Sequence, residues 1–318
     1  MEGNRKVIEK IVENMEKVII GKTETIEMVV ITLLCKGHIL LEDVPGVGKT
    51  TLLGALAKSI DGKFNRIQFT SDVLPSDILG FSMYNPKTGE FEYQKGAVLS
   101  QFILADEINR TPPKTQSSLL EVMEERQITV DGKTYKMPQP FMVLATQNPV
   151  EHLGTFALPE AQMDRFFMRL SIGYPSIESE VTMLTRFKES NPLHTLEAVA
   201  TVEEIIELQE AVQQVYVHEG INRFIVEIVS ETRIQDEVLL GSSPRGSLNL
   251  LRAAQGWAFY EGRDYVIPDD VIKMAPFILT HRIQLKHEAK LKQVKPEEII
   301  RNILRNIRLP RVKVYDKK

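Results

Sequence analysis

The stretch Leu40-Leu41-Glu42-Asp43-Val44-Pro45-Gly46-Val47-Gly48-Lys49-Thr50-Thr51 decides how the rest of the chain is read. An apolar run from His38 to Leu41 reads as a buried strand, and Leu52, Leu53, Leu56 and Ile60 follow at helical spacing. Strand, glycine-containing loop and helix, in that order, make an anion cradle. Gly46 and Gly48 let backbone N–H groups turn inward around a polyphosphate, since side chains there would block close approach. The helix beginning near Lys49 adds its N-terminal partial positive charge, Lys49 can reach β- and γ-phosphates, and the Thr50 hydroxyl can complete a magnesium shell. Pro45, Val47 and Thr51 complete the candidate nucleotide-binding set in this loop. The usual pattern, G-x-x-x-x-G-K-[ST], has glycine where this chain has Asp43. That departure lies at the strand exit, where a variant residue could be accommodated. A glycine turn followed by a lysine is the plain alternative, so a second motif has to decide.

Gln101-Phe102-Ile103-Leu104-Ala105-Asp106-Glu107 supplies it. A buried apolar strand ending in two carboxylates suits metal-assisted phosphoryl chemistry: Asp106 can hold magnesium through its water shell, and Glu107 can polarise the attacking water. A strand that merely ends in polar residues is common, but the pair downstream of a phosphate loop is far more specific. Phe141-Met142-Val143-Leu144-Ala145-Thr146 is another buried strand, delivering Gln147, Asn148 and Pro149 at the sheet edge where ligands sit. Asn148 could there bond a γ-phosphate or the attacking water, or serve only as a turn residue before proline.

The chain of 318 residues has room for two domains. Its net charge of −4 offers no general attraction to nucleic acid or to an anionic membrane. The single cysteine, Cys35, cannot form an internal disulfide, which suits a reducing cytoplasm. No apolar run approaches a membrane span, and the first residues do not read as a signal peptide. Ile8, Ile11, Val12, Met15 and Ile19 fall on one helical face, Gly21 breaks that helix, and Thr23 is the expected cap of the next.

Two hairpins are expected as insertions. Pro86 to Gly89 turns between arms carrying Tyr84, Phe91 and Tyr93, and Asp131-Gly132 turns between Ile128-Thr129-Val130 and Lys133-Thr134-Tyr135. A fifth strand is read over Phe167 to Ile172, with no strand beyond it; from Ile177 the chain reads as helices broken at Asn191-Pro192, Gly220, Gly241 to Pro244 and Ile267-Pro268. Arg245, near the start of the helix at Pro244, gains nothing from the helix dipole, so it is either solvated or positioned for an anion.

The five segments Glu42 to Thr50, Leu104 to Arg110, Ala145 to Pro149, Leu158-Pro159-Glu160-Ala161-Gln162-Met163-Asp164-Arg165-Phe166 and Gly241-Ser242-Ser243-Pro244-Arg245 together resemble the MoxR family of AAA+ ATPases. The resemblance implies a P-loop NTPase three-layer αβα domain with a five-stranded parallel sheet and inserted hairpins over residues 1–175, and an all-α lid over 176–318. It implies ATP and Mg2+ as cofactors. Lys49 and Thr50 match Walker A, Asp106 and Glu107 Walker B, Asn148 sensor one, Arg165 the finger that reaches a neighbouring subunit, and Arg245 sensor two, acting on its own or the next subunit's nucleotide. Ile20 and Gly21 join the nucleotide-binding set. The resemblance further implies a homo-oligomeric ring, usually a hexamer, with client proteins and a von Willebrand factor A partner. The expected function is ATP-driven remodelling in the cytoplasm, chaperone-like maturation or metal-cofactor insertion. A nucleotide-dependent switch or adaptor with negligible turnover is the alternative from another class, against which Glu107 argues. A magnesium-chelatase-like motor is the nearest functional neighbour.

Overall fold

A computed structural model describes residues 2–148, 154–188 and 191–310; Pro149 and the end of the expected lid lie outside the described residues. Helices α1 (Glu2–Glu16) and α2 (Thr23–Leu34) lead into β1 (Ile39–Glu42), and α3 (Lys49–Ser59) and β2 (Phe64–Gln68) follow the glycine loop. Then come α4 (Pro75–Leu79), the hairpin β3 (Gly80–Asn85) and β4 (Glu90–Lys95), β5 (Phe102–Asp106), α5 (Pro113–Glu125), the hairpin β6 (Gln127–Val130) and β7 (Lys133–Lys136), β8 (Met142–Gln147), α6 (Glu160–Met163) and β9 (Met168–Leu170). The helical half holds α7 (Ile177–Phe187), α8 (Pro192–Thr195), α9 (Val202–Gln213), α10 (Glu219–Ile234), β10 (Val238–Leu240), α11 (Pro244–Tyr260), α12 (Pro268–Leu279), β11 (Gln284–Leu285), α13 (His287–Leu291) and α14 (Pro296–Asn306).

Five strands form a parallel sheet in the order β2-β5-β8-β1-β9. The period of two sorts its side chains cleanly. Ile39, Leu41, Phe102, Leu104, Met142 and Leu144 enter the core shared with α1, α2 and α3, whereas Leu40, Ile103, Ala105, Val143 and Ala145 enter the one under α5. Both faces are covered, which is why these strands read as continuous apolar runs. Parallel pairing sets Gln68 beside Asp106 and Glu42 beside Gln147, so the polar residues ending β1, β2, β5 and β8 collect at one edge.

Where β1 begins, His38 is buried: its Nδ1 accepts the Val143 N–H at 2.9 Å, which leaves Nε2 to donate to the Met123 carbonyl at 3.0 Å. Burial pulls this imidazole down to about 3, with Arg126 adding to the effect. The core shared with α1 to α3 continues without interruption through α9 to α12, and Gly256 of α11 lies so close to α2 that a Cβ there would meet Cys35 Sγ at 2.5 Å.

Several local expectations are corrected. Thr23 does not cap α2: Lys22 holds that position and the Thr23 hydroxyl bonds Glu16. Gly220 sits inside the first turn of α10, which His218 caps. The helical half also contains a two-stranded antiparallel ribbon, β10 with β11, so strands do occur beyond Ile172. These strands are two and three residues long and far apart in sequence, too short to show a period. The tight turn of the second hairpin has positive φ at both Asp131 (49°) and Gly132 (75°), as a primed turn requires.

Candidate functional site

The glycine loop opens into a cleft of about 350 Å3 at the carboxyl edge of the sheet. Gly46 and Gly48 have φ of 86° and 92°, and a Cβ at either would meet nothing within 4 Å. The positive backbone angle, not crowding, calls for glycine there. Gly48 precedes α3 without a side-chain cap, so the first N–H groups of the helix face the cleft from Lys49 onward. Pro45, Gly46, Gly48, Lys49, Thr50 and Thr51 line one wall, and Asp106, Glu107 and Asn148 the other. Val47 instead packs against the core.

Lys49 Nζ donates to the Asp43 carbonyl at 2.8 Å, and burial pulls its ammonium below the usual lysine value while Asp106, Asp43 and Glu107 act the other way. Asp106 Oδ1 accepts from Thr146 Oγ1 at 2.6 Å, and Oδ2 is paired with Arg66 Nη2 at 2.5 Å. Glu107 leaves the strand in the left-handed region (φ 57°), where its N–H donates to Thr146 Oγ1 at 2.8 Å. Its Oε2 accepts from Gln68 Nε2 at 2.8 Å and pairs with Arg110 at 3.0 Å. Thr146 therefore orients both acids. Arg66, Gln68 and Thr146 were not singled out from the sequence; the available signal was the polar pair Arg66 and Gln68 at period two on the strand beside Asp106.

Thr50 and Asp106, the residues assigned to magnesium, lie on facing walls of one cleft. The donor set fits that ion: it offers hard oxygens, few from protein, where Mg2+ keeps several waters and takes the rest from phosphate. Ile20 and Gly21 do not line the cleft. Gly21 stands against α7, where a Cβ would meet Ser179 Oγ at 2.2 Å.

Arg165 and Arg245 lie elsewhere. Both pair with Glu124 in the last turn of α5, Arg245 Nη2 at 2.6 Å and Arg165 Nη1 at 3.3 Å, and both line a second cavity of about 750 Å3. Lys36 to His38, at the start of β1, line that cavity, while the phosphate loop follows the end of the same strand. Four extended residues span about 13 Å. The Asp164 carboxylate keeps the two arginine-bearing elements in register, accepting from Ser243 Oγ at 2.9 Å and from Arg282 Nε at 2.8 Å. Arg282 is buried, which draws its guanidinium down to about 10 against the opposing effect of Asp164. Glu124 and Asp164 could not be placed from the sequence, since their partners come from distant segments.

A glycine loop at the exit of a central parallel strand, facing two acids from the next strand but one and followed by a helical lid, defines a P-loop nucleoside triphosphatase of the AAA class. Residues 38–168 match the model of the ATPase family associated with various cellular activities, and 230–303 that of the AAA lid domain. The chain is 52% identical over 301 residues to the uncharacterized protein YeaC of Bacillus subtilis, covering 95% of this chain and 94% of the relative. It is 41% identical over 314 residues to the chaperone MoxR1 of Mycobacterium tuberculosis, covering 96% and 83% respectively. A crystal structure of a candidate ATPase from Cytophaga hutchinsonii superposes with a TM-score of 0.92 at 41% identity, covering 98% of this chain and 97% of that one. The chain belongs to the MoxR family of AAA+ ATPases.

Proposed function

We propose that this protein hydrolyses ATP with Mg2+ in a homo-oligomeric ring, each site being completed by the neighbouring copy, and uses the turnover to remodel client proteins. The observation that carries this reading is the separation of its parts: Lys49, Thr50, Asp106, Glu107 and Asn148 share one cleft, while Arg165 and Arg245 share Glu124 at the other end of β1. Residues 1–175 form the nucleotide-binding part and 176–318 the lid in this reading.

The loop N–H groups and the start of α3 hold the phosphates, and Lys49 exchanges the Asp43 carbonyl for a phosphate oxygen. Thr50 and Asp106 hold magnesium, which when bound neutralises charge on the β- and γ-phosphates. Glu107 takes up the proton of the attacking water, and Asn148 orients that water. Arg165 and Arg245, joined through Glu124 and Asp164, act together on the neighbour's transferring phosphoryl group; guanidinium groups in that role are worth roughly 10³–10⁵ in rate. The family resemblance supports a hexamer, a von Willebrand factor A partner and client maturation or metal-cofactor insertion, and the similarity to the Mycobacterium chaperone MoxR1 supports a chaperone role. Among the described residues no helix is long and apolar enough to cross a membrane. The lone buried Cys35 supports a reducing cytoplasm.

The test is nucleotide binding and phosphate release measured in parallel. The parent is expected to bind ATP and release phosphate slowly, Lys49→Ala to bind no nucleotide, and Glu107→Gln to bind without release. Turnover at the parental rate in Glu107→Gln would assign the water to another carboxylate.

A further inference from the structure

Helix α7 carries its amphipathic pattern turned outward. Ser179, Thr182 and Met183 are half-buried against the chain, and Arg186 donates to the Lys17 carbonyl. On the opposite face Ile177, Val181 and Leu184, spaced i, i+4, i+7, are 78%, 57% and 72% exposed, and no residue of the helix is buried. A helix serving only its own chain places such a stripe inward, and an exposed contiguous one marks an interaction surface. Glu178 and Glu180 flank it.

The second cavity has the complementary character. Lys36, Arg126 and Arg252 join Arg165 and Arg245 in its lining, with Glu124 the single carboxylate among the described lining residues. Leu248, one turn beyond Arg245, is 56% exposed at its wall. Within one copy the two features cannot meet. Helix α7 stands at Gly21 and Lys22, before α2, and the cavity at Leu34 to Gly37, after it, with a helix of 12 residues, about 18 Å, between.

We propose that α7 is an assembly surface whose occupant is a second copy of this chain, the Ile177, Val181 and Leu184 stripe with Glu178 and Glu180 docking on the neighbour's arginine-lined cavity at Leu248. This rests on the shared-site reading above and extends it. The Asp43 carboxylate holds Ser171, Ile172 and Gly173, the lead-in to α7, at the base of the phosphate loop. A copy that brings Arg165 and Arg245 to this cleft therefore brings its cavity alongside α7. Different patches meet, so the contact is head-to-tail, the kind that builds a ring when its rotation closes, rather than a two-fold dimer.

The test compares Glu107→Gln with the same protein carrying Ile177→Ser, Val181→Ser and Leu184→Ser, by sedimentation velocity with ATP and Mg2+. The expected result is rings for the first and, for the second, loss of the ring species with an unchanged thermal midpoint. Rings in both, at equal protein concentration, overturn the docking proposal and leave the shared-site reading standing. Absence of rings in both overturns the shared-site reading and this proposal with it. A second measurement locates the contact: Leu184→Cys and Leu248→Cys proteins are mixed under oxidation with ATP and Mg2+. Cys35 does not compete, because burial pushes its thiol up to about 12. A disulfide-linked dimer in the mixture and none in either protein alone is expected. Linkage of Leu184→Cys with itself, or no linkage in a sample that forms rings, overturns the head-to-tail contact.

Discussion

Asp43 and Ile172 are joined by a short hydrogen bond, the Asp43 Oδ2 accepting the Ile172 N–H at 2.6 Å. The other carboxylate oxygen accepts from Ser171 Oγ at 2.8 Å and the Gly173 N–H at 3.1 Å, and Asp43 itself is buried. The position where the phosphate-loop pattern usually has glycine thus fastens the loop to the segment leading into α7. Asp43→Gly restores the pattern yet strands buried donors, at about 1–3 kcal/mol for each N–H left without a partner. Urea unfolding is expected to show a loss of at least that size, with Asp43→Asn falling between. An Asp43→Gly protein as stable as the parent would remove the fastening role.

The shared site has a mixing test. Arg165→Ala is expected to bind ATP and hydrolyse almost none, and Lys49→Ala to bind none. Combined, they form some interfaces that unite an intact Lys49 with an intact Arg165, so part of the turnover returns. No recovery at any ratio, with mixed rings confirmed, places Arg165 in its own chain's service.

The buried imidazoles predict acid lability. Burial holds the His38 imidazole down at about 3 in the folded chain, against about 6.5 for a free imidazole, and holds His281 well below that ordinary value. Both folded values are depressed, so the unfolded chain binds the extra protons. The stability they contribute is complete above about pH 6.5 and falls as pH drops below it, for His38 by up to about 1.4 kcal/mol per pH unit, with His281 acting in the same direction. Chemical denaturation from pH 7 to pH 5 is expected to show this slope, and His38→Asn a shallower one. An identical slope in the variant would assign the acid sensitivity elsewhere.

The first hairpin divides its aromatics. Tyr84 and Phe91 are 53% and 69% exposed and pack edge-to-face at 5.5 Å, whereas Tyr93 stacks on Tyr135 at 4.3 Å and donates to the Leu79 carbonyl. Alanine at Tyr84 or Phe91 is expected to cost under about 1 kcal/mol, and Tyr93→Ala clearly more. Of the three aromatics on the arms, Tyr93 thus belongs to the packed base of the hairpin and only Tyr84 and Phe91 face outward. Stimulation of turnover by a client should fall in the Tyr84 and Phe91 variants; equal stimulation in all would detach the hairpin from client contact.

What the sequence determined by itself is whatever local spacing encodes. Gly46 to Thr50 announced a strand, an anion loop and a helix, and the runs ending at Asp106 and Asn148 announced buried parallel strands whose polar ends share an edge. Period two with both faces apolar leaves little other architecture for such runs. Asp131-Gly132 fixed a hairpin because few residues tolerate its backbone angles. The tertiary structure alone decided everything that depends on which distant side chains meet. Asp43 looked like a tolerated variant until Ser171, Ile172 and Gly173 came to its carboxylate. Arg165 and Arg245 stand 80 residues apart in the chain and share Glu124 where Asp164 grips Ser243 and Arg282. The same holds for α7, whose pattern predicts a helix of either orientation. The packing of Ser179 against Gly21, with Thr182, Met183 and Arg186 on the same side, turns its apolar stripe toward solvent, because periodicity records that a face exists and not what lies against it.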